Sequence, residues 1–552
     1  MPQTWDLEAD VVVVGFGAAG ACAALEAAEG GGSEVVVLER FCGGGATVLS
    51  GGIVYAGGGT VQQVQAGVRD TPAAMFAYLQ MEVGDAVTPG TLRDFCDGSA
   101  EMMAWLSGKG VPFQGSLCPD KTSYPGNRHY LYYSGSERSY AHVAPPAPRG
   151  HRAVGRGTSG RVLFARLATA VRAAGVGIVT QTRAEQLVTG ENGEVTGVEC
   201  LSMRGAPGWA RLAHRGLHKA GKKPFLYAGR LGRRMHAPVA FLERRYATPL
   251  RVGARNGVIL AAGGFVANRA LLREHAPAYR GGLPLGTVAD DGSGMRLGVA
   301  AGGTTKFLDR VSCWRFITPP SAFLGGVLVD TSGQRVCDES LYGAAIGEAM
   351  VWRHDRRAWL LLDKMAVSRA WRQLARGCQW FQLLQAVYLL TGARVRGPSV
   401  AKVAARAGID PAGLAATLAA HNGAAAAGDP DPAGKPADVV TPLDRPPFSL
   451  IDLSVRPRPA YPAPMLTLGG LVVAEDTGQV RRADGTAIQG LYAAGRSAVG
   501  LCSRSYVSGL SLADCVYSGR RAGRHAAVAL PELGGRSGVL DDVPGKLRPL
   551  EH

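Results

Sequence analysis

The chain has 552 residues, 46% hydrophobic and 19% charged, with 77 glycines and a formal net charge of +16; this composition excludes a disordered or collagen-like chain and leaves room for two or three domains with a well-buried core. The ten cysteines at 22, 42, 96, 118, 200, 313, 337, 378, 502 and 515 form no C-x-x-C and no metal-ligand spacing, which argues against a disulfide scaffold or a metal site and for reduced thiols in a cytoplasmic protein. No apolar run is long enough to span a bilayer, and the acid-bearing start Met1–Asp10 has neither the basic nor the apolar region of a signal peptide.

The first element is the β-branched run Asp10-Val-Val-Val-Val, which leads into Gly15-Phe-Gly17-Ala18-Ala19-Gly20 and the helix-forming Ala21–Ala28. Val35-Val-Val-Leu-Glu39 then reads as the next parallel strand and ends in an acid 24 positions after Gly15. Strand, G-x-G-x-x-G, helix, strand and acid together read as a dinucleotide-binding unit. Gly15 makes the tight turn, Gly17 lets the backbone approach a pyrophosphate, Gly20 permits helix-to-strand packing, and Glu39 binds a ribose hydroxyl. The fingerprint does not by itself separate FAD from NAD.

Residues 60–150 read as helices and loops over the nucleotide, with Tyr124, Tyr130, Tyr132, Tyr133 and Tyr140 clustered in a Gly/Ser/Pro-bearing stretch. Such a cluster either lines an apolar pocket or packs a core. Gly157-Thr-Ser-Gly160 opens a helix to about Ala174, and strands flank the hairpin signal Asn192-Gly193 to make a small sheet wedged into the nucleotide domain.

That sheet is interrupted by an insertion at 204–250. Arg204–Tyr246 carries eleven Lys or Arg against the single acid Glu243, so ten of the sixteen net positive charges are local. Trp209, Leu212, Phe225, Tyr227, Leu231 and Phe241 are interleaved with them, and His214, His218 and His236 read as surface residues without metal spacing. Basic, aromatic-bearing helices suit an anionic membrane surface through 204–246. A bland solvated face or an oligomer contact is the alternative, and nucleic acid is not expected beside a dinucleotide-binding core. From about 275 to 455 a cap-like domain follows, with Trp314-Arg-Phe-Ile, a long amphipathic segment Trp371–Tyr388, and a strand Pro447–Leu453 expected to return the chain to the nucleotide domain.

Gly43-Gly-Gly45-Ala46-Thr47-Val-Leu-Ser50-Gly51-Gly52 resembles the second FAD-contacting loop of the fumarate reductase and ketosteroid dehydrogenase flavoproteins. Matches continue in order through Val258–Asn268, Asp291-Gly-Ser-Gly-Met295, Thr467-Leu-Gly-Gly470, Gly490-Leu-Tyr-Ala-Ala-Gly495 and Gly519-Arg-Arg-Ala-Gly523. The resemblance implies an α/β fold, with a Rossmann-like, glutathione-reductase-like FAD-binding domain and an inserted α+β substrate-capping domain. The expected boundaries are 1–274 and 455–530 for the FAD-binding domain, 275–454 for the cap and 531–552 for a tail. It also adds Arg40, Ala262, Gly263, Asp291, Gly495, Arg496, Ser511 and Leu512 to the residues expected to hold FAD, and no metal is expected.

Soluble fumarate reductases of this group carry R-F-x-N-E-x-x-x-R-D in the cap and a histidine just before T-M-G-G. Here the patterns read Arg335-Val-Cys-Asp-Glu339-Ser-Leu-Tyr342-Gly343 and Met465-Leu466-Thr467, with Gly343 at the arginine position and Leu466 at the histidine position. The charged clamps a dicarboxylate needs are missing. By contrast Tyr506-Val-Ser508-Gly509-Leu-Ser511-Leu512, with Tyr132–Glu137 and Pro145–His151, resembles the branch that 4,5-dehydrogenates 5α-saturated 3-ketosteroids. The resemblance implies Tyr506 as the base for the proton beside the ketone, with Ser508 as its relay. Tyr342 and the Gly509 N–H are the expected donors to the ketone oxygen, and Tyr132 and Tyr133 the expected substrate contacts.

The expected function is thus that of an FAD-dependent oxidoreductase acting on the carbon–carbon bond beside a ketone of a ketosteroid-like apolar molecule, cytoplasmic and peripheral at a membrane. The electron acceptor is not legible. A flavin-dependent reductase of another enone or fumarate-like substrate, and a membrane-associated flavoprotein without small-substrate catalysis, remain as alternatives.

Overall fold

The computed structural model describes residues 4–30, 32–279, 282–374, 378–456 and 458–528; the expected tail at 531–552 lies outside them. The run of valines forms the strand Leu7–Val14, buried on both faces as parallel central strands are. It pairs in parallel with Val35–Glu39 on one side and Thr248–Leu260 on the other. The sheet order is Gln479–Arg481, Ala487–Ala493, Thr248–Leu260, Leu7–Val14, Val35–Glu39, Gly177–Thr180. The hairpin Thr182–Thr189/Val195–Ser202 is continuous with this sheet rather than separate from it, because Val195–Ser202 pairs antiparallel with the first half of the long strand Thr248–Leu260.

Two helices pack closely on this sheet. A Cβ at Gly519 would lie 2.5 Å from the Ala19 carbonyl oxygen and one at Gly523 would lie 2.3 Å from that of Ala23. The glycines four residues apart therefore let the helix Leu510–Ala527 lie directly on the backbone of Ala18–Gly30. This contact brings the segment 505–509 to the nucleotide fold. A small antiparallel sheet, Ile53–Tyr55, Gly150–Arg152 and Leu131–Tyr132, supports the same place.

The cap has its own core around an antiparallel sheet ordered Val327–Val329, Trp359–Leu362, Phe448–Asp452, Arg394–Gly397. The strand expected to lead back to the nucleotide domain thus belongs to the cap, where Leu450 and Ile451 are fully buried between two partners. The segment expected as one amphipathic stretch is two helices, Lys364–Leu374 and Trp380–Thr391. Arg335 pairs with Glu339 at 2.7 Å and Asp431 at 3.2 Å, and Lys435 pairs with Glu339 at 2.8 Å. This part of the fumarate-reductase-like pattern is a buried ionic staple of the cap.

The basic insertion is a hairpin of two helices, Gly208–Tyr227 and Gly229–Tyr246. Its histidines are not surface residues: His214, His218 and His236 are all buried. They continue stripes of helical spacing, Ala210-His214-His218-Gly221-Phe225 and Gly232-His236-Val239-Leu242, which turn inward while most of the bases turn out. All ten cysteines are free thiols. Among the described residues no helix is long and apolar enough to cross a membrane, and no cluster of His, Cys, Asp and Glu could hold a metal ion.

Candidate active site

One cavity of about 840 Å³ runs from the glycine turn of the first strand to the cap, near the top of the roughly 300–1,000 Å³ of small-molecule sites. At one end it is lined by Gly15, Gly17, Ala18, Ala19, Glu39, Arg40, Gly45, Ala46, Thr47, Ser50 and Gly51. Gly15 has φ +107°, and a Cβ there would lie 2.5 Å from the Ala261 oxygen; one at Gly20 would lie 1.9 Å from the Gly15 oxygen. These two glycines are required by the protein itself. Gly17 differs, for its Cβ would meet only the Thr47 hydroxyl, at 3.6 Å. The space in front of Gly17 belongs to the cavity, as a backbone that a pyrophosphate approaches requires.

The residues at this end fit FAD. The Ala18 N–H at the start of the first helix is held by the Thr47 hydroxyl at 3.0 Å, so the second glycine loop is fastened to the first. Glu39 accepts the N–H groups of Phe16 and Phe41 at 3.1 and 2.8 Å, which orients its carboxylate at the end of the second strand. Arg496 reaches the cavity from the other side. Its Nη2 pairs with Asp290 at 2.6 Å, while its Nη1 is buried without a partner in the protein. A buried guanidinium with a free donor is expensive unless a bound oxygen or nitrogen acceptor satisfies it.

The opposite end is aromatic and hydroxyl-bearing. Tyr506 lies with its ring 5.0 Å from Trp314 and 6.1 Å from Tyr342, and Phe316 meets Tyr342 at 5.6 Å. All four line the cavity with Leu466, Ser508 and Gly509. The Ser508 hydroxyl is 3.1 Å from that of Tyr132 and lies near enough to Tyr342 to favour that phenol's anion. The Gly509 N–H lies near enough to the Tyr506 oxygen to favour its anion. That N–H is fixed because Gly509, at φ +92°, leaves no room for a side chain: a Cβ would lie 2.7 Å from Ile53 and 2.8 Å from the Tyr55 nitrogen. Burial pushes both phenols up from the usual tyrosine range. For Tyr506 the Gly509 N–H and the Arg496 charge oppose it, whereas for Tyr342 only Ser508 does.

The structure therefore brings together Tyr506, Ser508, Gly509 and Tyr342, and adds Tyr132 from behind, wholly buried, through Ser508. It joins the Ser508 hydroxyl to Tyr132 and places Ser508 near Tyr342 and the Gly509 N–H near Tyr506. Tyr133 stands apart from the cavity lining, half-buried with Arg138 5.7 Å over its ring. Ala262, Gly263, Ser511 and Leu512 line the cavity, whereas Gly20, Gly52 and Gly495 pack against backbone or side chains just behind it. Asp291 bonds the Ser293 N–H at 2.9 Å and Arg40 at 3.3 Å; the neighbouring Asp290 is the acid on the cavity. Sequence reading also missed Arg161, His218 and Lys223 on the nucleotide side and Trp380 and Leu384 on the cap side. The i, i+4 spacing of His214 and His218 was the only local signal for any of them.

The family model described as FAD binding domain matches residues 10–509. The chain is 38% identical over 504 residues to the 3-oxo-5-alpha-steroid 4-dehydrogenase of Comamonas testosteroni, covering 89% of this chain and 93% of that protein. It is 27% identical to a 3-oxosteroid 1-dehydrogenase of Mycobacterium tuberculosis, covering 90% and 94%. Among solved structures, the 3-ketosteroid-delta4-(5alpha)-dehydrogenase of Rhodococcus jostii in complex with 4-androstene-3,17-dione is similar with a TM-score of 0.80 and 30% identity, covering 96% of this chain and 98% of that one. A flavocytochrome c3 fumarate reductase shares the fold at a TM-score of 0.59 and 21% identity, covering 95% of this chain and 78% of that one.

Proposed function

We propose, from the premise that the chain belongs to the FAD-binding family of the ketosteroid dehydrogenases and fumarate reductases and is an FAD-dependent oxidoreductase, that its reaction is 4,5-dehydrogenation of a 5α-saturated 3-ketosteroid. The observation that carries this reading is the paired phenols of Tyr506 and Tyr342 over an apolar cavity, where Gly343 and Leu466 stand in place of the charged clamps of a dicarboxylate site. A Cβ at Gly343 would lie 2.6 Å from Phe316 and 2.9 Å from the Arg315 oxygen, so no arginine fits there without moving backbone.

Bound FAD supplies the two-electron acceptor for the hydride that leaves the carbon adjacent to the deprotonated one. The protein supplies the proton chemistry. Tyr506 receives the substrate proton at its oxygen, because its anion has two stabilising groups, the Gly509 N–H and the Arg496 charge, where that of Tyr342 has one. Burial keeps Tyr506 neutral at rest, so its own proton leaves as the substrate proton arrives. The hydroxyl we assign to that relay is Ser508, bonded to Tyr132 and beside Tyr342. Tyr342, facing Tyr506, donates to the ketone oxygen as negative charge develops there. Trp314, Phe316 and Leu466 wall the cavity and exclude water.

Anaerobic mixing with a 5α-saturated 3-ketosteroid is expected to bleach the flavin and yield the 4-ene-3-ketone. A yellow enzyme after a full panel of such steroids would sink the substrate assignment while leaving the flavoenzyme class intact.

The outer face of the insertion supports a membrane contact. Trp209, Leu212, Leu231 and Phe241 are exposed there among the bases, the mixture that an anionic lipid surface attracts. A sterol-like substrate would reach the cavity from that surface.

A further inference from the structure

The inner face of the basic hairpin has a different neighbour from its outer face. We propose that it is an adenosine-end clamp, a third wall of the dinucleotide groove that retains FAD by its AMP half.

The groove's polarity follows from its chemistry. Pyrophosphate belongs at Gly17 and the start of the first helix, and a ribose at Glu39. The adenosine end therefore lies beyond Glu39, at Arg40 and Phe41, and these two residues are the ones the hairpin grips. Arg40 meets Glu243 through both carboxylate oxygens, Nε at 3.1 Å and Nη2 at 2.9 Å. Glu243, the single acid among the eleven bases of the insertion, accordingly points inward. On its other side the His214 Nε2 lies 3.3 Å away, and His214 Nδ1 is 3.0 Å from the Gln181 amide. Phe41 stacks on His218 at 3.9 Å with the rings 5° apart, and the His218 Nδ1 is 3.2 Å from the Nε2 of His236.

The hairpin is built to hold this face closed. A Cβ at Gly221 would lie 2.4 Å from the His236 ring and one at Gly232 would lie 2.2 Å from the Phe225 backbone, so the helices meet at two glycines and press their histidines toward Phe41. Past that contact His218, Lys223, Leu226 and Tyr227 line the same cavity as Gly15–Ala19 and Glu39–Phe41. A surface appendage without a ligand role would leave Arg40 and Phe41 facing water; here the cavity wall continues from the strand end onto the helix. Burial and the neighbouring Lys222 and Arg40 cations hold His218 and His236 below the usual histidine range, which keeps these two rings neutral beside Phe41.

The test is FAD release from the purified holoenzyme, followed by the rise of free-flavin fluorescence, in Glu243→Gln and in His218→Ala. Each is expected to speed release by about tenfold or more, the change that ~1.4 kcal/mol of lost binding produces. The bound flavin's visible spectrum and reduction potential should not change, since the clamp lies at the other end of the cofactor. His218→Phe, which keeps a ring on Phe41, should restore slow release, and Trp209→Ser on the outer face should leave it untouched. Unchanged release in both variants overturns the proposal. So does faster release accompanied by an altered bound-flavin spectrum and a lowered melting temperature of the apoprotein, which marks general loosening. If Glu243→Gln does not fold, His218→Ala, which leaves the Arg40 ion pair in place, decides alone.

Discussion

Replacing Tyr506 by phenylalanine removes one hydroxyl and leaves the ring where it is, because the tilted rings of Trp314 at 5.0 Å and Tyr342 at 6.1 Å pack against it. The structural cost is small, one buried hydroxyl removed from a ring whose packing is kept, about 1 kcal/mol of stability on the scale of one net hydrogen bond. The catalytic cost is larger if the oxygen is the base, since positioned acid–base groups supply roughly 100- to 10,000-fold in rate, or ~2.7–5.4 kcal/mol of barrier. Anaerobic stopped-flow bleaching of the flavin by a 5α-saturated 3-ketosteroid reads the second quantity, and a denaturant titration reads the first. FAD content and steroid affinity should be retained. A loss below about tenfold would make Tyr506 a wall of the cavity. The companion variants divide the roles. Ser508→Ala should cost less, and the double variant should fall short of the product of the single losses, because groups acting as one unit are not additive. Should Tyr342→Phe alone match the Tyr506 loss, the two phenols exchange roles.

Gly17→Val should fold yet bind little FAD, since the protein leaves its Cβ free apart from the Thr47 hydroxyl at 3.6 Å; a normal flavin absorbance in the purified variant would refute the assignment of the groove. The enzyme should sediment with anionic vesicles and be released by high salt as its bases are screened. Trp209→Ser with Phe241→Ser should abolish this at unchanged FAD content, and binding to neutral vesicles that is insensitive to salt would count against the reading. His151, with Nε2 2.8 Å from the Thr60 hydroxyl and Nδ1 3.0 Å from the Arg149 oxygen, is pushed down to about 4 by burial. A depressed histidine leaves the unfolded chain binding more protons, so its contribution to stability is intact above about 6.5 and lost as pH falls toward 4. Burial pushes Glu82 and Asp514 up to about 7 and about 6, which acts in the opposite sense. The measurement is therefore the wild-type minus His151→Gln difference in unfolding free energy, which should shrink from pH 7 to pH 4.5; a difference flat with pH would show that His151 protonates equally in both states.

What sequence could reveal followed the range of the interactions. The strand, turn, helix and acid of the nucleotide fold lie within the first forty residues, where Gly20 packs on the Gly15 oxygen and Glu39 holds the Phe16 N–H, so the fingerprint is legible from near neighbours even though the Gly15 turn also packs on Ala261. The catalytic end is assembled from segments far apart in the chain: the Ser508 hydroxyl meets Tyr132 across 376 positions, and no spacing rule encodes that pairing. Asp290 and Asp291 differ by one position, and only the turn into the helix Ser293–Ala300 decides that the first faces the cavity while the second bonds Ser293 and Arg40. The insertion misleads for a related reason. Its charge is so one-sided that the bases draw attention to the outer face, whereas the histidines and Glu243 belong to an inner stripe whose partner, Arg40–Phe41, is not contiguous with it.

The same logic explains how a fold shared with a fumarate reductase at a TM-score of 0.59 can turn to another substrate without rebuilding its cofactor groove. The groove is fixed by backbone approaches at Gly15, Gly20, Gly519 and Gly523, which tolerate little change. The cap wall is fixed by side chains instead. Once Phe316 and the Arg315 carbonyl close over Gly343 and Leu466 lines the cavity beside them, a carboxylate entering it would shed water and find no cation in this wall, a penalty of several kcal/mol. A fused-ring ketone loses little by the same transfer. Its single oxygen needs only one or two donors, and its apolar surface gains about 25 cal/mol for every Å² buried. Selectivity thus comes as much from the charges the cap has no space for as from the hydroxyls it presents, and the Arg335–Glu339 pair survives in this chain as a structural tie rather than as part of a clamp.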